Sequence, residues 1–145
     1  DLTTAAGGRS TWLTRRFPNN WFSRRNLLSE TDRAAADVRV VDWLAGSCFA
    51  TPRRVFEALR GLDEGFFMYW EDADYCRRAA AQHGGCHYVP TVSVRHTGGV
   101  SSAQNVVPSI RAFHRSAFRL YWKHAGAGRL FAPLVWLGLQ ARASL

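Results

Sequence analysis

The sequence predicts an α/β fold that ends in helices. Three observations predict it. The run from Val38 to Leu44 is β-branched and aromatic and reads as a strand. A second such run, Cys86 to Val89, follows a helical stretch that Gly84-Gly85 stops. Beyond it, a helical pattern from about Pro108 to His124 is followed by Gly126, Gly128 and a last apolar stretch, Leu130 to Leu139.

Three regions follow in order: 1–36, 37–104 and 105–145. The first is rich in Arg, Thr, Asn and Ala, carries the turn signal Pro18-Asn19-Asn20, and shows no sustained period, so it reads as irregular. Trp12, Phe17, Trp21 and Phe22 argue against full disorder there. In the second region Gly46 breaks the first strand, and Cys48 to Thr51 reads as its short continuation. Pro52 suits the start of a helix over Arg53 to Leu59, which Gly61 ends. Leu62-Asp63-Glu64-Gly65 is a loop, and Phe66 to Trp70 is a short apolar run. Glu71 opens a helix with Asp72 and Asp74 in its first turn, where the helix dipole favours negative charge. Tyr75, Ala79 and Gln82 share one face of it, with Cys76, Ala80 and His83 on the neighbouring one. Strands are expected at Cys86 to Val89 and Thr91 to Arg95, either side of Pro90, with a loop at His96-Thr97-Gly98-Gly99.

Composition bounds the function classes. Hydrophobic residues make up 47% and charged residues 21%, so the chain is globular rather than disordered. A net charge of +8 fits anionic partners, but the basic residues are scattered and no RNA-binding or helix-turn-helix pattern accompanies them, so no nucleic-acid partner is expected. The three cysteines, Cys48, Cys76 and Cys86, form no short disulfide framework and suggest reduced thiols in the cytoplasm. Cys76, His83, Cys86 and His87 match no common zinc spacing.

Three pieces carry the chemistry: Gly61-Leu62-Asp63-Glu64, then Phe67 to Trp70 running into Glu71-Asp72-Ala73-Asp74, then Pro90 to His96-Thr97-Gly98-Gly99. In this order and spacing the string resembles the C-terminal half of family 2 glycosyltransferases, especially the rhamnosyltransferase-like and galactofuranosyltransferase-like members. The likeness covers roughly Val40 to His124; Phe is more usual at Leu62. It implies the C-terminal portion of a GT-A (Rossmann-like) domain, with 37–104 as its acceptor-side catalytic half. It also implies transfer of a sugar, rhamnose or a related hexose, from a nucleotide-sugar donor to a saccharide or lipid-linked glycan, with inversion by single displacement.

By the same resemblance, Asp72 matches the base that deprotonates the acceptor hydroxyl, and Trp70, Glu71 and Asp74 match positions around the acceptor. His96 matches a ligand of the divalent metal, Mn²⁺ or Mg²⁺, at the donor diphosphate. These roles suit the residue types. A sugar hydroxyl is a poor nucleophile, and a placed carboxylate takes its proton as the new bond forms. A divalent ion neutralises charge building on the leaving diphosphate, and imidazole can join oxygen ligands around Mn²⁺. Taken singly, an Asp in a first helical turn fits a cap or dipole partner, and a His after a strand fits a structural role. The combined string is what favours the catalytic reading.

No Asp-x-Asp pair or Gly-rich phosphate loop precedes this string. The chain is therefore expected to be a fragment lacking the donor-binding half and inactive alone. Arg111, Arg115, Arg119 and Lys123 fall along one helical face, beside a stripe of Ile110, Phe113, Ala117 and Tyr121. With the apolar Leu130 to Leu139, that face fits contact with an anionic membrane at the inner face of the plasma membrane, or a helix packed on the domain. Arg77 and Arg78 read as a solvated face, with one of them able to pair with the Asp63-Glu64 loop. Two rivals stand beside the enzyme: a non-catalytic glycan-binding remnant, and a basic membrane- or nucleic-acid-binding module.

Overall fold

The computed structural model describes residues 37–96 and 105–143. The expectations for 1–36, for the Thr97-Gly98-Gly99 loop and for Ser144-Leu145 lie outside the described residues. The elements are β1 (Arg39–Val41), α1 (Arg53–Ala58), α2 (Glu71–His83), β2 (Cys86–Tyr88), α3 (Val106–His124), a 3-10 helix (Gly126–Phe131) and α4 (Ala132–Ala143). The two strands pair antiparallel, with Arg39 opposite Tyr88, Val40 opposite His87 and Val41 opposite Cys86. Mixed helix and small sheet are compatible with the α/β expectation, but helices dominate what is described.

The strands are shorter and fewer than expected. Cys48 to Thr51 forms no strand, and neither does Thr91 to Arg95. Pro90 lacks the N–H a ladder needs, and Val92 and Val94 are exposed, so β-branched content alone did not make a strand there. Pro52 is the N-cap of α1 rather than its first residue, and α3 begins at Val106, two residues ahead of Pro108. Gly126 does not end the helical run outright: the chain tightens into the 3-10 helix and turns back as α4.

The core gathers on α2. Tyr75 and Ala79 pack with Leu59, and Phe49, Val55 and Cys86 close around them. The Tyr75 ring also meets Phe49 and Phe56, and its hydroxyl lies 2.9 Å from Thr51 Oγ1. The expected helix face is thus half right: Tyr75, Cys76 and Ala79 are buried, while Gln82, Ala80 and His83 are exposed. Gly61 has φ +68° and no room for a side chain, since an added Cβ would sit 3.0 Å from Phe56 Cζ.

Buried charge fixes α3 against this core. The Asp74 side chain has no exposed surface. It receives Arg78 Nε at 2.8 Å, Lys123 Nζ at 2.8 Å and His124 Nε2 at 2.7 Å. Lys123 and Arg119 also reach Asp63, at 2.7 and 2.9 Å, and lie over the buried ring of Phe66. Arg78 donates onward to the carbonyls of Leu59 (2.6 Å) and Gly61 (2.9 Å), at the end of α1. Arg78 is therefore a tie between helices and not a solvated side chain; the Asp63 loop pairs with α3 instead. The basic stripe is likewise divided. Arg119 and Lys123 face the domain, and Arg129 donates to the Trp122 carbonyl, while Arg111 and Arg115 are exposed.

A candidate acceptor-side catalytic site

The start of α2 is built under strain. Tyr69 and Trp70 have φ of +67° and +70°, a left-handed conformation that is uncommon and costly for bulky residues. Packing holds them there. Phe113 of α3 lies edge-on to Tyr69 at 5.6 Å and against Trp70 at 5.2 Å. Ser116 Oγ donates to the Met68 carbonyl at 2.8 Å. Trp43, just after β1, stacks on Trp70 with ring centroids 5.8 Å apart and planes 19° apart.

This turn aims the acids of α2 in different directions. Asp72 is half-buried, and its carboxylate is fixed by backbone: Oδ1 accepts the Ala73 N–H and Oδ2 the Gly46 N–H, both at 2.7 Å. Each oxygen retains a lone pair, so the group is held in place yet can still accept a proton. Gly46 comes close because it has no side chain; an added Cβ would stand 3.4 Å from Asp72 Oδ2. Glu71, next to it, is pushed up by burial and by the Asp72 charge, against the pull of its own backbone N–H. Asp74 points inward to Arg78, Lys123 and His124. Burial works to raise it, but Lys123, His124 and Arg78 together hold it below the usual carboxylate range. Asp63 is held far below that range by Lys123, the Gly65 N–H and Arg119. Cys76, at the back of the site, is pushed up to about 12 by burial, so it is a packed thiol and not a nucleophile.

The residues expected from the sequence are thus brought together in part. Trp70, Glu71 and Asp72 share the strained turn. Asp74 follows them in sequence, but it has no surface to offer an acceptor; its place is the ion network. His96 is exposed at the end of the segment 37–96. Among the described residues, no group of three His, Cys, Asp or Glu side chains could hold a metal ion, so the residues present do not make a complete metal site. Trp43, which stacks on Trp70, was missed by sequence reasoning. Nothing near it in the chain marks it, because it joins Trp70 only through the fold.

The chain is similar to glycosyltransferases: a protein of Mycobacterium tuberculosis named N-acetylglucosaminyl-diphospho-decaprenol L-rhamnosyltransferase is 35% identical over 106 residues, 72% of this chain. Rhamnosyltransferase WbbL of Escherichia coli is 36% identical over 84 residues, 58% of this chain. The low-salt glycan biosynthesis hexosyltransferase Agl10 of Haloferax volcanii is 36% identical over 59 residues, 39% of this chain. The matched stretch makes up 34% of the first relative and 29% of the second, so the chain spans about a third of their length. No family model and no solved structure matches.

Proposed function

We propose that this chain is the acceptor-side portion of an inverting glycosyltransferase of family 2, with a GT-A fold, and that its parent moves a hexose, rhamnose being the first candidate, from a nucleotide-sugar donor to a glycan or lipid-linked glycan. The observation that carries the reading is Asp72: a carboxylate oriented by two backbone N–H groups beside a strained aromatic turn, in a chain whose relatives are named for transferring rhamnose and hexose. Asp72 takes the proton from the acceptor hydroxyl as that oxygen bonds to the anomeric carbon and the nucleoside diphosphate leaves with the bonding pair. Trp70, held between Trp43 and Phe113, and Glu71 border the acceptor position. Asp74 acts at one remove, by fixing α2 against α3. His96 would supply one imidazole to a divalent ion at the diphosphate, with the remaining ligands coming from outside the described residues. The test is transfer by the full-length protein: Asp72→Asn should lower kcat by about 10²- to 10⁴-fold, the usual worth of a general base, with donor KM unchanged. Undiminished kcat would refute the role.

A membrane-side reading is favoured by one observation. Leu130 and Phe131 of the 3-10 helix and Leu134 and Leu137 of α4 are exposed by 85, 61, 68 and 63%. No helix among the described residues is long and apolar enough to cross a membrane. Contact would therefore be lateral and mainly apolar, since Arg119, Lys123 and Arg129 are engaged within the domain. Flotation with phosphatidylglycerol vesicles should survive high salt and be lost in the double variant Leu134→Asp, Leu137→Asp; flotation abolished by salt alone would contradict an apolar contact.

A further inference from the structure

The stretch that follows β1 meets the start of α2 at three points. The Trp43 ring stacks on Trp70. Leu44 meets the Cys76 thiol through both of its backbone groups: its N–H donates to Sγ at 3.4 Å, and Sγ donates to its carbonyl at 3.7 Å. The Gly46 N–H donates to Asp72 Oδ2 at 2.7 Å. Cys76 lies one helical turn beyond Asp72, on the same side of α2. It is 1% exposed, and burial pushes its thiol up to about 12, so it keeps the proton that the Leu44 carbonyl accepts. In an antiparallel ladder, a neighbouring strand meets the N–H and the carbonyl of one residue together. Here a side chain of α2 does so, and it ties 43–46 to the helix that carries Asp72.

We infer that Cys76 is a positioning residue for Asp72: by holding Leu44 against α2 it keeps the Gly46 N–H, two residues further on, on the carboxylate. The inference rests on the reading of Asp72 as the base. The two N–H groups on that carboxylate differ in origin. The Ala73 N–H belongs to α2 and travels with Asp72, whereas the Gly46 N–H comes from outside the helix and fixes the carboxylate against the rest of the domain. The approach leaves little slack, since a Cβ added at Gly46 would stand 3.4 Å from both Asp72 Cβ and Oδ2. A base must be placed closely, because a misplacement of about 1 Å can cost about 10²-fold in rate. With almost no surface of its own, Cys76 acts through Leu44 and Gly46 and not on the substrate.

The test compares Cys76→Ala, Cys76→Ser and Ala79→Gly in the full-length protein, by sugar transfer, melting temperature and hydrogen exchange of the Gly46 amide. Alanine removes both hydrogen bonds to Leu44; serine keeps a donor and an acceptor. Ala79 is buried on α2 too, but packs with Leu59 and Tyr75, so its replacement loosens the core without touching the tie. Cys76→Ala should lower kcat about tenfold with donor and acceptor KM unchanged, and should speed exchange at Gly46. Cys76→Ser should restore most of the rate and of the protection. Ala79→Gly should lower the melting temperature while kcat stays at the wild-type value. If Cys76 served packing only, kcat would follow melting temperature across the three variants, and that result would overturn the inference. Exchange at Gly46 unchanged by Cys76→Ala would overturn it as well. The two readings fail separately. Transfer indifferent to Asp72→Asn removes the catalytic role, and Gly46 exchange still reports the tie. Transfer that needs Asp72, with wild-type kcat in Cys76→Ala, removes the positioning role alone.

Discussion

Asp72 and Asp74 are two residues apart, yet their replacement by Asn should have opposite consequences. Asp74 has no exposed side-chain surface and accepts from Arg78, Lys123 and His124 at 2.8, 2.8 and 2.7 Å. Hydrogen bonds to charged groups contribute about 1.5–3 kcal/mol each, so three give a gross ceiling of roughly 4.5–9 kcal/mol. The net loss is smaller, because two of the three partners keep other contacts: Arg78 retains the Leu59 and Gly61 carbonyls, and Lys123 retains Asp63. Removing one member of a buried charge group costs about 3–5 kcal/mol. At about 2–4 °C per kcal/mol for a chain of this size, Asp74→Asn should lower the melting temperature by roughly 6–20 °C. Asp72→Asn loses only carboxylate character toward two backbone N–H groups and should cost about 1 kcal/mol. Thermal unfolding followed by circular dichroism reads both. A loss below about 1 kcal/mol for Asp74→Asn would refute the view that this buried network, and not an acceptor, is what Asp74 serves.

Further outcomes follow from the same groups. The folded pKa of Asp74 is depressed below the ordinary Asp value, so its stabilising effect is present above that value and is lost as pH falls through the lower folded one. Acid unfolding should therefore steepen below about pH 4 in wild type, and Asp74→Asn should flatten that limb. Glu71 behaves in the opposite sense: its folded pKa is raised, so its ionised form opposes folding once pH exceeds the ordinary Glu range. Glu71→Gln should raise the melting temperature at neutral pH while raising acceptor KM, and a lowered melting temperature would count against a buried, unpaired Oε2. Ser116→Ala, which frees the Met68 carbonyl, should cost about 1 kcal/mol and loosen the Tyr69–Trp70 turn, visible as a change in tryptophan emission. Chelation of divalent ions by EDTA should abolish transfer in the full-length protein, and Mn²⁺ or Mg²⁺ should restore it; transfer that persists in EDTA would exclude the metal role proposed through His96.

Local signals carried much of the fold. Gly84 takes φ +81° where the sequence stops α2, and Glu71, Asp72 and Asp74 stand in the first turn as the dipole argument requires. What local signals could not carry is partner choice. Arg78 and Lys123 look like ordinary surface cations until α3 brings Lys123 to Asp74 and Asp63, contacts that span about fifty to sixty residues of chain. The same holds for Asp74, for which the family resemblance implied acceptor contact and whose neighbours bury it. Trp43 carried no motif, so only the fold discloses that its ring stacks on Trp70. Thr91 to Arg95 fails as a strand for a related reason: β-branched residues favour a strand only where a neighbour and a buried face receive them.

Sugar transfer by the full-length protein is the most direct measurement, made with a panel of nucleotide sugars and Mn²⁺ or Mg²⁺, comparing wild type with Asp72→Asn. Transfer of rhamnose or another hexose that falls at least about a hundredfold in Asp72→Asn, with donor binding kept, is the predicted result. Transfer at wild-type rate by Asp72→Asn, or none from any donor with saccharide and lipid-linked acceptors supplied, would contradict it.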